Sequence, residues 1–169
     1  MVSSREWSEP CLDRVVATAW RYRLFRIGKM PPALRTASNS VDVLSPAEGV
    51  SVKISGRSIA LPGVRSGRSL QLAVGSIVLS PSRLLAAVGA WVILDTGFVG
   101  IPDTGHTVAL SAEGMQLHVS VPQVYQGGRG TFDLQFRVNL DQSVLAHLPS
   151  TPLAVRLLEG IAPLVRRWA

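Results

Sequence analysis

The chain has 169 residues, of which 47% are hydrophobic and 17% charged, and a formal net charge of +6. Such a composition is too apolar for disorder, and the length suits one domain with an adequate core better than two. The longest strongly apolar, charge-free stretch, Leu84 to Leu94, is well short of the roughly 18 residues that a membrane-spanning helix needs, which excludes a helical span.

The chain starts MVSSREWSEPCLD, and Glu6, Glu9 and Asp13 interrupt the basic start and continuous apolar core of a secretory signal. A cytoplasmic or peripheral membrane location is therefore expected. Cys11 is the only cysteine, so an intramolecular disulfide and a cysteine-rich metal site are excluded, and beside Leu12, Val15 and Val16 it reads as a small buried hydrophobe. Ser8-Glu9-Pro10 can start a helix through Cys11, Leu12, Val15, Val16, Ala19 and Trp20. Arg14, Arg21, Arg23, Arg26, Lys29 and Arg35 follow without an acid among them, so this segment alone equals the formal excess of +6.

The basic residues alternate with aromatics, and Trp20, Arg21, Tyr22, Arg23, Arg26 and Lys29 are candidates for docking on an anionic surface. Aromatic rings favour the headgroup level, and each basic residue near such a surface adds about 1 kcal/mol. Between Leu84 and Gly128 there is no Lys or Arg, which argues against a nucleic-acid groove across the whole domain. Met30 to Ser40, with its Pro pair and small polar residues, reads as a linker. The expected organisation is thus a basic helix and linker over residues 1–40 and a single domain over 41–169.

An internal repeat is expected within that domain. Val41 to Ser55 and Thr107 to Ser120 each read as a strand, a turn closing on Glu-Gly, and a second strand. After the turns, Val50, Val52 and Ile54 alternate with polar residues as Met115, Leu117 and Val119 do. Gly67-Arg68 precedes Leu70, Leu72 and Val74 as Gly128-Arg129 precedes Phe132, Leu134 and Phe136. A capping residue and a Leu-rich segment follow each half, and the matching points are spaced by about 60 to 65 residues, giving repeats over about 41–94 and 107–167. The predicted fold class is α+β, a duplicated hairpin, strand and helix unit forming a twisted antiparallel sheet packed against helices.

Two helices complete this reading. Pro81 to Leu94 is apolar all round beyond Arg83, as a buried core helix would be. Thr151 to Trp168 carries Leu153, Leu157, Leu158, Ile161, Leu164, Val165 and Trp168 on one stripe, with a kink or break expected near Gly160 and Pro163.

The sequence carries no Walker-type loop and no GxSxG elbow, and Gly127-Gly128-Arg129-Gly130 lies between strands, where a hairpin turn is expected. His106, His118 and His147 lack the spacing of a local metal motif, so neither metal nor cofactor is expected. Asp95 and Asp103 each begin an Asp-Thr-Gly triplet, the nucleophilic signature of aspartic proteases. Two copies eight residues apart in one connection cannot supply two lobes sharing a proton, and Asp and Gly favour turns in any sequence. A hydrolase using them is the third-ranked reading.

The alternating hairpins Val41 to Ser55 and Thr107 to Ser120, and the strand-cap-helix stretches Ile77 to Ala86 and Val138 to Ala146, resemble those of bacterial proteins in the tubular lipid-binding (TULIP-like) superfamily. The resemblance implies a curved sheet around an apolar channel and a non-enzymatic function, the binding of lipid or another apolar ligand. Val50, Val52, Ile54, Leu72 and Met115 would line the channel, with Leu117, Val119, Leu134 and Phe136. The rival expectation is an assembly or scaffold subunit whose residues 14–35 bind RNA phosphates or an acidic protein partner.

Overall fold

The computed structural model describes residues 29–40, 42–98 and 104–169, with the backbone alone for Arg65 and Ser66. The alternation through Val50, Val52 and Ile54 belongs to one continuous strand, β1 (Ser45–Leu61), not to the second arm of a hairpin. Glu48-Gly49, expected as a turn, is a bulge. Gly49 takes φ 69°, the register against β2 (Val64–Leu79) shifts between Glu48 and Val50, and pairing then resumes. The chain reverses at Pro62-Gly63, so Gly67-Arg68, expected as the turn, lies inside β2.

The expected core helix is a β-hairpin. β3 (Arg83–Val88) and β4 (Trp91–Gly97) pair antiparallel around Gly89, whose φ of 58° suits a tight reversal. Leu84 through Val88 are all buried. Burial was legible there, but period was not: a strand covered on both faces is a continuous apolar run, which hydropathy cannot tell from a buried helix. β-Branched Val88, Val92 and Ile93 favour the strand.

The second cover comes from the segment expected as a linker. It forms α1 (Pro32–Ser38), whose fully buried Leu34 packs with Met30 on Val78, Leu85 and Ala87, on the outer face of β2 and β3. Pro32 at the first helical position costs no hydrogen bond, since that N–H has no intrahelical partner. Glu48 anchors the approach, accepting the Met30 N–H at 2.6 Å and facing Arg35 at 4.0 Å.

β5 (Thr107–Ser111) and β6 (Gly114–Ser120) form the hairpin predicted there. The two stretches that match in sequence therefore differ in structure, because Glu-Gly bends a strand in one and closes a turn in the other. A single turn, α2 (Val121–Val124), leads to β7 (Arg129–Arg137), followed by α3 (Gln142–Leu145), β8 (Leu153–Ala154) and α4 (Ile161–Trp168). Among the described residues the strands make one antiparallel sheet in the order β4-β3-β2-β1-β7-β6-β5-β8, curled into a half-barrel. The fold is mainly β, with a few short helices, and the α+β class holds only loosely.

The stretch from Thr151, expected as a helix, is helical only in α4. Leu153 and Ala154 pair with β5 as β8, Leu157 bridges Leu94 of β4, and the Leu158 N–H donates to Ile93 O at 2.9 Å. This segment thus runs from one free edge of the sheet to the other and spans its opening. The predicted break at Gly160 is where α4 begins. A side chain there would collide with the Val92 carbonyl, while Pro163 sits in the first turn, where its missing N–H is harmless.

The inner face of the half-barrel is a packed core of β1, β6 and β7 side chains, filled from the open side by Ile161, Leu164, Val165 and Trp168 of α4. Phe132 and Phe136 demand room on the neighbouring strands. A Cβ on Gly75 would lie 2.8 Å from the Phe136 ring, 2.7 Å from Val52 and 2.7 Å from the Ala87 carbonyl. β2 therefore turns Gln71, Ala73 and Gly75 toward the side of Ile54, Val52 and Val50, and Leu70 and Leu72 point outward. Leu72, expected inside, stands opposite Lys53 and is 76% exposed. Volume decided the phase of this strand against hydropathy.

Candidate anion-binding surface

Alternation along β1, β2 and β7 collects cations on the outer face. Arg57 stands directly opposite Arg68 on one side and Thr131 on the other, Lys53 opposite Leu72 and Gln135, Ser51 opposite Arg137, and Ala60 opposite Arg129. Like charges directly opposite each other destabilise a sheet, so Arg57 and Arg68 are placed at a cost that an external anion would remove. The acids of these three strands are already engaged: Glu48 by Met30 and Arg35, and Asp133 by His118 at 2.7 Å. Among the described residues no carboxylate pairs with Lys53, Arg57, Arg68, Arg129 or Arg137.

Beside the cations lies exposed apolar surface. Leu70 is 65% exposed and Val64 39%, and with Leu72 they make β2 the main site of exposed large hydrophobic side chains among the described residues. At the β1–β2 tip an open cleft of about 890 Å³ is lined by Leu61, Pro62, Gly63, Val64, Gly127 and Arg129. Gly127 and Arg129 thus flank this cleft as part of the connection into β7.

The predicted site residues are dispersed differently. Val50, Val52, Ile54, Met115, Leu117, Val119, Leu134 and Phe136 are together, at 0–1% exposure, in the packed interior. Lys29 is exposed just ahead of α1, while Trp20, Arg21, Tyr22, Arg23 and Arg26 lie outside the described residues, as do Cys11 and Asp103. Asp95 is on β4, where both its oxygens accept from Arg83 at 2.7 and 2.8 Å across the hairpin. That bond, and then the carboxylate's charge, raise the Arg83 pKa above its ordinary value. Among the described residues no three His, Cys, Asp or Glu side chains are placed to hold a metal ion. Sequence reasoning missed Arg57, Arg68, Arg129 and Arg137 because only the strand register brings them together.

No family model, curated protein or solved structure matches this chain. No helix among the described residues is long and apolar enough to cross a membrane.

A second polar feature lies off this surface. His106 is 5% exposed, and its Nδ1 accepts the Ser120 N–H at 3.1 Å. Burial, and secondarily the charge of His118, lower its pKa below the ordinary 6.5. The unfolded chain therefore binds more protons than the folded one below about pH 6.5. The stabilisation that this neutral imidazole gives is fully present above that value and is lost as pH falls through the folded pKa. Urea unfolding should show a midpoint that declines on acidification through this window, and His106→Asn should flatten that dependence; an equal slope in the variant would assign it to other groups.

Proposed function

We propose that the protein is a non-enzymatic lipid-binding module that docks on anionic membrane surfaces through the outer face of β1, β2 and β7. The observation that carries this reading is the Arg57–Arg68 cross-strand pair, without a carboxylate partner among the described residues, beside exposed Leu70 and Leu72. Cations meet lipid phosphates and carboxylates, and the leucines enter the headgroup and acyl boundary. At about 1 kcal/mol per basic residue near such a surface, Arg57, Arg68 and Arg129 together contribute about 3 kcal/mol, roughly a hundredfold in affinity. The basic-aromatic residues Trp20 to Lys29 add to the same attraction. In this reading lipid meets the surface, and the packed interior serves as the core that holds the sheet.

Exposed leucines favour lipid over RNA, whose single strands are bound by aromatic stacking together with basic residues. Cosedimentation with phosphatidylserine-containing vesicles tests the reading. Binding should fall with salt, be absent on pure phosphatidylcholine, and drop by at least about thirtyfold in Arg57→Glu/Arg68→Glu. Leu70→Ser/Leu72→Ser should weaken it without loss of fold, since both side chains are exposed. Failure of the wild type to sediment with anionic vesicles, with retention on RNA or an acidic protein, would replace the lipid reading with a docking subunit.

A further inference from the structure

A cleft of about 590 Å³ opens beside α2, the stretch from Arg156 to Glu159 and the start of α4. His106 lines it. Because Nδ1 accepts the Ser120 N–H, the neutral ring carries its proton on Nε2. No hydrogen bond joins that Nε2–H to another of the described residues. His106, a residue 5% exposed, lines this cleft, and with Nδ1 engaged its Nε2–H is the donor that the ring can offer a ligand there.

The rest of the lining narrows the chemistry. Val124, Leu157, Ile161 and Ala162 make an apolar wall, held in place where the Tyr125 hydroxyl donates to Ala162 O at 2.9 Å. Arg156 adds a positive charge on the rim and Glu159 a negative one. A phosphate dianion would want more donors than this lining offers and, with twice the charge, would be repelled by Glu159 more strongly than a carboxylate. One imidazole N–H with one guanidinium suits the two oxygens of a carboxylate. The apolar wall suits a hydrocarbon tail, and the lining has no aromatic platform for a sugar or a base.

We infer that this cleft binds a medium-chain fatty acid, its carboxylate accepting from His106 Nε2–H and its tail lying along Val124, Leu157 and Ile161. The site goes beyond the membrane surface and does not depend on it. Sodium decanoate below its micellar concentration, titrated into the uniformly ¹⁵N-labelled full chain, should give a saturable shift of the His106 imidazole nitrogens and of the Gln123 side-chain amide. The His106 titration should move to higher pH in the loaded protein, because the carboxylate favours the imidazolium. Decanol, the uncharged match, should bind at least tenfold more weakly.

His106→Asn keeps an acceptor for Ser120 and lacks the Nε2–H, and should bind decanoate at least tenfold more weakly. Gln123→Trp, at an exposed position on the rim, should block the cleft and abolish the shifts, and it decides the matter if the His106 variant does not fold. No saturable response to decanoate, equal binding of decanol, or undiminished binding by either folded variant would overturn the assignment.

Discussion

Gly75→Ala is expected to destabilise the protein by about 1–3 kcal/mol, although it adds one methyl group. That methyl would meet atoms 2.7–2.8 Å away on three sides: Val52 of β1, Phe136 of β7 and the Ala87 carbonyl of β3. A side-chain end can rotate away, but the carbonyl belongs to the β2–β3 ladder, in which Gly75 is opposite Val88 and Ser76 opposite Ala87. The strands must separate locally or the methyl must distort β2. Phe136→Leu in the same chain should recover part of the loss by freeing the ring's share of the space. A double-mutant cycle by urea unfolding should therefore show coupling of about 0.5–3 kcal/mol. Strict additivity would mean that the Ala87 carbonyl and Val52 set the cost without the ring.

The second large effect concerns the element that fills the open side of the sheet. Leu164→Ala should cost about 2–5 kcal/mol, since Leu164 is fully buried and the cavity it leaves is walled by the half-barrel core. α4 has eight residues, too few to be stable as an isolated helix, so its helicity depends on docking. Loss of the contact should therefore be felt along the closing segment as well. Hydrogen exchange should quicken at the Leu158 and Val155 amides, which bond to Ile93 O and His106 O and tie that segment to the two edges of the sheet. Unchanged exchange at these amides would show that the closing segment holds without α4.

How much was legible in the chain depended on the kind of signal. Alternation marked Val50, Val52, Ile54, Met115, Leu117, Val119, Leu134 and Phe136 as one-sided, and all are buried on the inner face. The hairpin at Thr107 to Ser120 was readable for the same reason, as was the break at Gly160. Leu84 to Val88 was misread because burial on both faces erases the period that separates strand from helix. The Met30 to Ser40 segment was misread because a short helix with one buried leucine has too few apolar residues to show a stripe, and its hold on the sheet comes from Glu48 and Val78, distant in sequence.

Composition and local patterning by themselves determined that this chain folds around a hydrophobic interior with an antiparallel sheet, since both depend on residue type and nearest neighbours along the chain. Only the tertiary structure decided that Gly49 bends a strand while Gly114 follows a hairpin turn, that β2 turns its leucines outward, and that Arg57, Arg68 and Arg129 share one face. Each of these is set by side-chain volume and strand register across segments far apart in sequence, where a phenylalanine on β7 fixes which residue β2 can place beneath it.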